Sequence, residues 1–168
     1  RTDEGLRDLE MLESAAAQPI VVVLPKVESA DDVRTAEDLL ARSGSRAWLW
    51  AILESGVGVV NAHEIAQASR RLAALSFGSA DFCAELGIAM KWEPLLYARS
   101  QVVLAGRTAG IGVLDSPTFA LDDPELLEFE ATAAAELGFT GKIAIHPSQV
   151  EVINAAFTPK PEQVEWAT

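Results

Sequence analysis

Two apolar runs in the middle of the chain, Trp48–Leu53 and Leu72–Phe77, constrain the fold most. Both are short and largely apolar, which is typical of strands buried on both faces of a parallel sheet. The first run ends at Glu54 and the second continues into the turn Gly78–Asp81. Because a helical segment separates the runs, the two strands are predicted neighbours, and their acidic residues meet at the carboxyl edge of the sheet. Glu54 and Asp81 can therefore share one ion.

The same pattern recurs along the chain, so that strands alternate with helices. The predicted strands are Ile20–Leu24, Trp48–Leu53, Leu72–Phe77, Ile111–Leu114 and Lys142–Ile145. Such alternation predicts an α/β fold with a parallel sheet, right-handed crossovers and function on the loops after the strands. Two architectures fit, an open doubly wound sheet or part of an eight-stranded βα barrel. Neither GxGxxG nor GxxxxGK[ST] occurs, which disfavours a nucleotide-binding open sheet. A closed barrel typically takes about 250 residues, so five strands are too few to close one.

Apolar periodicity and capping residues predict the helices. They are Arg1–Ala17, Asp32–Ala41, Asn61–Ala68, Leu95–Ala109, a helix opened by Asp122-Asp123-Pro124 that runs to Leu137, Val150–Ala156 and a last turn Glu162–Ala167. We expect Trp48 and Trp50 to pack against the covering helices. Cys83 is expected to be a small buried apolar side chain on the helix after Asp81.

Composition limits the classes of function. The 168 residues are 49% hydrophobic, enough to bury a core, and they are predicted to form one domain. A formal charge of −12 argues against binding to nucleic acid or to an anionic membrane surface. No apolar run approaches the ~20 residues that cross a bilayer, and the single cysteine cannot form an internal disulfide. A soluble, cytoplasmic protein is expected.

Each candidate site residue has an alternative reading. Glu54 and Asp81 can bind a metal, cap a helix or pair with a nearby Lys or Arg. Lys26 can meet an anionic group in the site or simply lie at a strand end. His146 can carry protons or only make an orienting hydrogen bond. Asp115 can bind substrate or fix the turn that follows its strand, whereas His63 is expected to face solvent from a helix.

Five segments in order resemble the citrate lyase β-subunit-like branch of the HpcH/HpaI aldolase/citrate lyase superfamily. They read PKVES, AILESGVGVVNAHEIA, FGSADFCAELG, LYARSQVVLAGRTAGIGVLDSP and GKIAIHPSQVEVINAAFTPKPEQVEWA. The resemblance runs without rearrangement over nearly the whole chain, from about Asp8 to Ala167. The segment around GFTGKIAIHPSQ and its continuation FTPKPEQVEWA are the most specific.

This resemblance implies a TIM-type barrel, assembled as a homo-oligomer (trimer or hexamer), that binds Mg²⁺ and cleaves or forms a carbon–carbon bond. It implies citryl-, malyl- or citramalyl-CoA thioesters as substrates, or small 2-oxo acids. The metal ligands it implies are Glu54 and Asp81. Backbone N–H groups of Gly78, Ser79 and Ala80 are then expected to bind the oxo acid's carboxylate, and Lys26 to contribute to substrate binding.

The chain also departs from the family. Residues 1–168 correspond to the C-terminal part of a (β/α)8 barrel, and the resemblance places the first three strands and a C-terminal lid outside them. An arginine that stabilises the oxyanion belongs to that missing part; Arg1 is the candidate for it here, and His146 is the second candidate catalytic residue. Ala80 replaces an acidic residue of close citrate-lyase-like relatives, which weakens assignment to a sub-branch. A 2-oxo-acid aldolase, a malyl-CoA thioesterase and a non-catalytic interaction module remain as alternatives.

Overall fold

The computed structural model describes residue 7, residues 20–42 and residues 44–159. Its strands are β1 Val21–Leu24, β2 Trp48–Leu53, β3 Leu72–Phe77, β4 Gly112–Asp115 and β5 Gly141–Lys142. Its helices are α1 Ala30–Arg42, α2 Gly56–Val60, α3 Ala62–Ala66, α4 Ser79–Leu86, α5 Trp92–Ala109, α6 Pro124–Leu137 and α7 Val150–Phe157, with a 3₁₀ turn at Pro147–Gln149. Arg1, the rest of the predicted first helix apart from residue 7, and the last turn lie outside the described residues.

The five strands form one parallel sheet in the order β1-β2-β3-β4-β5. A doubly wound sheet reverses its strand order at a switch point, and this sheet does not. Strands that follow one another both in sequence and in space, each joined by helices, are the arrangement of a βα barrel. The sheet is therefore an incomplete section of a TIM-type barrel, as predicted.

The two faces of the sheet differ sharply in burial. Leu49, Ala51 and Leu53 of β2 are fully buried and join one hydrophobic core with the helices. Side chains alternate along a strand, so Trp48 and Trp50 point to the opposite face, which is the inner face of the barrel section. Trp48 is 49% exposed. The prediction that this tryptophan pair packs against the covering helices was wrong, because it ignored the alternation along the strand.

Local rules explain where helices begin and end. The predicted helix Asn61–Ala68 is the shorter helix α3, and a second short helix that was not predicted, α2, precedes it and meets it at Asn61. Helix α2 begins at Gly56 because the Ser55 side chain accepts a hydrogen bond from Gly58 N; its GVGVV sequence is too poor in helix formers to be predicted. Helix α5 begins at Trp92, before Pro94, which the first turn of a helix tolerates. No described helix has the length and apolar character needed to cross a membrane.

Candidate active site

Glu54 lies one residue beyond the end of β2. Because Leu53 points into the helix-side core, Glu54 points to the other face, at the carboxyl end of the strands. The next residue, Ser55, is buried and caps α2, so the chain turns away directly behind Glu54. The carboxylate is half-buried. The strand end and the helix cap together fix where this side chain points.

Asp81 comes from the neighbouring strand's loop, as predicted. Strands β2 and β3 pair in parallel up to Leu53 and Phe77, and α4 begins two residues later. Asp81 lies in the first turn of α4, where the helix dipole favours a negative charge. Its side chain is 53% exposed. The predicted meeting of the two loops is therefore confirmed; the metal-binding role of the two carboxylates stays a prediction.

Gly78 lets the Glu54 side chain lie close to the start of the loop after β3. A Cβ at this position would lie 2.5 Å from Glu54 Cβ and 2.9 Å from Glu54 Oε2, closer than real Cβ atoms come. Only a residue without a side chain lets Glu54 lie against the start of the next loop. The glycine thus shapes the site by leaving space for Glu54.

Lys26 contacts both acidic residues with two different groups. Its backbone N–H donates to Glu54 Oε1 at 2.8 Å, and its Nζ lies 3.2 Å from Asp81 Oδ1. The three residues come from the loops after β1, β2 and β3, so three consecutive strands contribute to one site. Sequence reasoning placed Lys26 near the site but gave no indication of the backbone contact.

The electrostatics of the site favour a cation. Partial burial raises the pKa of Glu54 above its ordinary range, and the charge of Asp81 acts in the same direction, while the hydrogen bond from Lys26 N–H opposes them. The hydrogen bond to Asp81 and its charge raise the pKa of Lys26. Two carboxylates therefore lie near one ammonium group, which pairs directly with Asp81. Glu54 and Asp81 carry two negative charges when ionised, and the Lys26 ammonium supplies only one positive charge.

Further hydrogen bonds hold the three loops together. Gly56 N donates to Glu85 Oε1 at 3.1 Å, which ties the loop after β2 to the helix that carries Asp81. Asn61 Nδ2 donates to Glu28 O at 2.8 Å, which ties the loop after β1 to the helices after β2. Sequence reasoning missed Glu85. The signal that could have identified it is its spacing from Asp81, because residues four apart on one helix lie on the same face.

The donor set fits a hard divalent cation. Mg²⁺ is typically bound through one or two carboxylates, several waters and oxygens of the substrate. Glu54 and Asp81 supply two carboxylates at an accessible edge, and the described residues contain no cluster of three or more His, Cys, Asp or Glu that could enclose a metal. An open two-carboxylate site suits Mg²⁺ and leaves positions for a ligand.

The turn Gly78-Ser79-Ala80 behaves only partly as predicted. Gly78 N donates to Leu53 O at 2.9 Å, so this N–H belongs to the sheet, and the prediction that it binds a carboxylate was wrong. The parallel pairing continues one residue beyond β3 and takes up that donor. Ser79 and Ala80 begin α4, whose amino end has no side-chain cap. N–H groups in a first turn have no partner within their helix, so these two positions keep their predicted role as a proposal.

His146 is exposed and caps the 3₁₀ turn. Its Nδ1 accepts from Ser148 N at 3.2 Å and lies 2.7 Å from Ser148 Oγ. These contacts match the orienting alternative, and its catalytic role stays a prediction. His63 is also exposed, as predicted, and its ring lies 2.9 Å from Gln67 Nε2.

Asp115 is not part of this site. Its carboxylate is fully buried between the sheet and the helices, where it accepts from Arg99 Nε at 2.8 Å and from Lys142 Nζ at 2.9 Å. Lys142 also donates to Ser116 O, and it lies 3.4 Å from Glu130 Oε2. Of the two predicted alternatives, fixing the turn after β4 is the one the contacts support. Sequence reasoning missed this buried ionic network, although a charged residue within the apolar helix α5 was a signal for it.

The fold and the site define a class: a TIM-type barrel with a pair of carboxylates at the carboxyl ends of adjacent strands. The HpcH/HpaI aldolase/citrate lyase family profile matches residues 2–147. The chain belongs to this family, as its sequence motifs predicted.

Its relatives include enzymes of two activities. The chain is 35% identical to an L-malyl-CoA/beta-methylmalyl-CoA lyase of Rhodobacter capsulatus, over 95% of this chain and 58% of the relative. It is 35% identical to a (3S)-malyl-CoA thioesterase of Cereibacter sphaeroides, over 99% of this chain and 56% of the relative. The chain thus spans somewhat more than half the length of these relatives.

A solved structure agrees with the fold. The citrate lyase beta subunit from M. tuberculosis, complexed with oxaloacetate and magnesium, superposes with a TM-score of 0.80 at 32% identity. The match covers 94% of this chain and 69% of that structure.

Proposed function

We propose that this chain is the metal-binding part of a Mg²⁺-dependent carbon–carbon lyase that acts on a CoA thioester of a hydroxy dicarboxylic acid, such as malyl-, citramalyl- or citryl-CoA. One observation carries the proposal: Glu54 and Asp81, from adjacent strands, meet at Lys26 and leave a negative charge unbalanced. The lyase relative and the magnesium–oxaloacetate complex of a structural neighbour support it.

Glu54 and Asp81 are the residues that would hold Mg²⁺. When bound, such an ion supplies Lewis-acid stabilisation of negative charge on a 2-oxo acid's carbonyl oxygen. Lys26 would supply a positive charge for the acid's carboxylate, and Ser79 and Ala80 would offer backbone donors at the start of α4. These residues follow three consecutive strands, β1, β2 and β3, at the carboxyl edge of the sheet.

The reaction itself is a retro-aldol cleavage. The bond between the hydroxyl-bearing carbon and the carbon next to the thioester breaks, and the hydroxyl loses its proton to become the carbonyl of the oxo acid. The bonding electrons pass to the carbon next to the thioester, which then takes up a proton. The family resemblance implies an arginine that stabilises the developing oxyanion. Loss of one such group typically costs about 10²–10³ in rate. Arg1 is our candidate for that role and His146 our candidate proton carrier.

The inner face of the sheet is apolar and open. Val21, Val23 and Trp48 are between 44% and 52% exposed on this face. Exposed apolar surface and open strand edges are unfavourable in an isolated domain. We propose that further barrel strands or another copy of the chain cover this face, in keeping with the predicted homo-oligomer. Sedimentation velocity distinguishes these cases, and a stable monomer with this face exposed would contradict both.

Calorimetric titration with Mg²⁺ and oxaloacetate tests the metal site. Binding of oxaloacetate is expected to require Mg²⁺ in the wild type and to be lost in Asp81→Asn. Metal-independent binding of equal strength in both proteins would contradict the proposal and favour a non-catalytic module.

The thioesterase relative makes hydrolysis a second candidate function. Incubation with malyl-, citramalyl- and citryl-CoA separates the two reactions, because a lyase releases an oxo acid together with acetyl-CoA whereas a thioesterase releases free CoA and an intact hydroxy acid. The same Asp81→Asn variant serves as the control for metal dependence.

A further inference from the structure

Lys26 has an unusual backbone. Its φ of +50° is in the left-handed region, and among the residues that the structure describes it is the only non-glycine residue with positive φ. Residues other than glycine adopt this region at a cost, and such strain often occurs at functional sites. Here the strained conformation has a visible result, since it directs the N–H of Lys26 to Glu54 Oε1 at 2.8 Å.

The two polar groups of Lys26 are held very differently. The N–H is fixed by the backbone and donates to a half-buried carboxylate. The ammonium is 70% exposed and pairs with Asp81, which is itself 53% exposed. Ion pairs as exposed as this one contribute little to stability and are readily exchanged. Lys26 therefore combines one fixed contact with one movable contact at the same site.

We propose that the Lys26 ammonium is the counter-ion of Asp81 only until a divalent cation binds, and that it then moves to the carboxylate of the incoming anionic ligand. The backbone N–H holds Glu54 in place throughout. This inference rests on the proposed function, because it assumes that Glu54 and Asp81 bind Mg²⁺.

Charge repulsion is the reason for the exchange. Mg²⁺ binds carboxylate oxygens at about 2.1 Å, and the ammonium now lies 3.2 Å from one of these oxygens. A doubly charged and a singly charged cation repel each other at this separation, so the more weakly held ammonium leaves. Its flexible side chain remains within reach of the site, where an anion is the partner that replaces Asp81.

The proposal predicts opposite effects on two ligands. Removing the charge of Lys26 removes a competitor of Mg²⁺, so metal affinity rises. The same change removes a partner of the oxo acid, so oxo-acid affinity for the Mg²⁺-loaded protein falls. A purely structural role of Lys26 would weaken both.

The variants are Lys26→Asn and Lys26→Gly, which lack the charge but tolerate positive φ and keep the N–H, and Lys26→Arg, which keeps the charge. Lys91→Asn is the matched control for net charge, because Lys91 is exposed and makes no side-chain capping contact at the amino end of α5. Calorimetry measures binding of Mg²⁺ alone, electron paramagnetic resonance measures Mn²⁺ as a second metal probe, and a further titration adds oxaloacetate at saturating Mg²⁺. Circular dichroism verifies that each variant is folded, and Lys26→Gly replaces Lys26→Asn should the latter fail to fold.

We expect Lys26→Asn and Lys26→Gly to bind Mg²⁺ about three- to tenfold more tightly than wild type, and oxaloacetate at least threefold more weakly. Lys26→Arg and Lys91→Asn should stay within about twofold of the wild-type metal affinity. Unchanged or weaker metal binding in both uncharged variants would overturn the exchange while leaving the metal site intact. An equal gain in Lys91→Asn would also overturn it, because net charge would then explain the effect. Metal binding by none of the proteins would overturn the proposed function as well.

Discussion

Two charged clusters at the same end of the sheet show how similar sequence signals lead to different structures. Asp81 pairs with the exposed ammonium of Lys26, Glu54 accepts a hydrogen bond from the backbone N–H of the same residue, and neither acid is fully buried. Asp115 is fully buried and is paired with both Arg99 and Lys142. The buried network balances two cations against the carboxylates of Asp115 and Glu130, whereas the exposed cluster has one cation for two carboxylates.

The two clusters differ because Asp115 is the last residue of its strand, whereas Glu54 lies one residue beyond the end of its strand. Asp115 is the last residue of β4, and it pairs with Lys142. Leu53 and Phe77 end β2 and β3 in the same way and are also fully buried. Glu54 comes one residue later, so its side chain points to the opposite face. An acid at the end of a strand thus stabilises the core or faces the site, depending on the parity of its position.

The strongest test of this comparison is Asp115→Asn. It leaves two buried cations with too little negative charge, and removing one partner of a buried ion pair typically costs about 3–5 kcal/mol. We expect the free energy of unfolding, measured with urea, to fall by about that amount. Asp122→Asn, at an exposed loop position, should change it by less than about 0.5 kcal/mol. Equal stability of the two variants would contradict a structural role for Asp115.

Gly78→Ala tests whether the glycine makes room for Glu54. The added Cβ overlaps with Glu54 Cβ and Oε2, so we expect a loss of about 1–3 kcal/mol in stability together with weaker Mg²⁺ binding. Gly56→Ala is the control, since its Cβ would meet neighbours at an ordinary 3.5 Å. Thermal unfolding and calorimetry measure both effects, and wild-type metal affinity in Gly78→Ala would show that Glu54 is not constrained by this turn.

Asp81→Asn should weaken metal binding with little change in stability, whereas Asp115→Asn should mainly reduce stability. We expect Mg²⁺ affinity to fall at least tenfold, about 1.4 kcal/mol, because one of two carboxylate ligands loses its charge. Stability should change by less than about 0.5 kcal/mol, since the ion pair with Lys26 is exposed. A large loss of stability with intact metal binding would reverse the roles that we assign to the two clusters.

Cys83 gives the smallest effect and reports on the packing behind Asp81. Burial raises the pKa of this thiol, so at pH 8 less of it is thiolate than in an exposed cysteine, and its reaction is slower. We expect its reaction with Ellman's reagent to be at least tenfold slower in the folded protein than in denaturant. Equally fast reaction in both conditions would mean that the helix carrying Asp81 opens readily.

Much of this organisation was predictable from the sequence. The runs Trp48–Leu53 and Leu72–Phe77 are strands with the predicted bounds, since short, largely apolar runs between polar turns leave few alternatives. The ends of weaker elements were predicted less well. Only Gly141–Lys142 forms β5, where Lys142–Ile145 was predicted, and the glycine-rich helix α2 was not predicted at all.

The site was predicted in its carboxylates but not in its supporting contacts. Strand-end position identified Glu54 and Asp81, and the same rule left Asp115 undecided because it ignores which face a strand residue occupies. The backbone bond from Lys26 to Glu54 and the bond from Gly56 to Glu85 join loops nearly thirty residues apart. Nothing local in the sequence encodes such contacts.

The sequence by itself determined the alternation of strands and helices, the family and the pair of acids at adjacent strand ends, because these depend on residue type and spacing along the chain. The tertiary structure alone decided that Asp115 is buried, that Gly78 makes room for Glu54 and that Lys26 contacts both Glu54 and Asp81. The physical reason is that strand register sets the direction of each side chain, and register is fixed only when the strands pair.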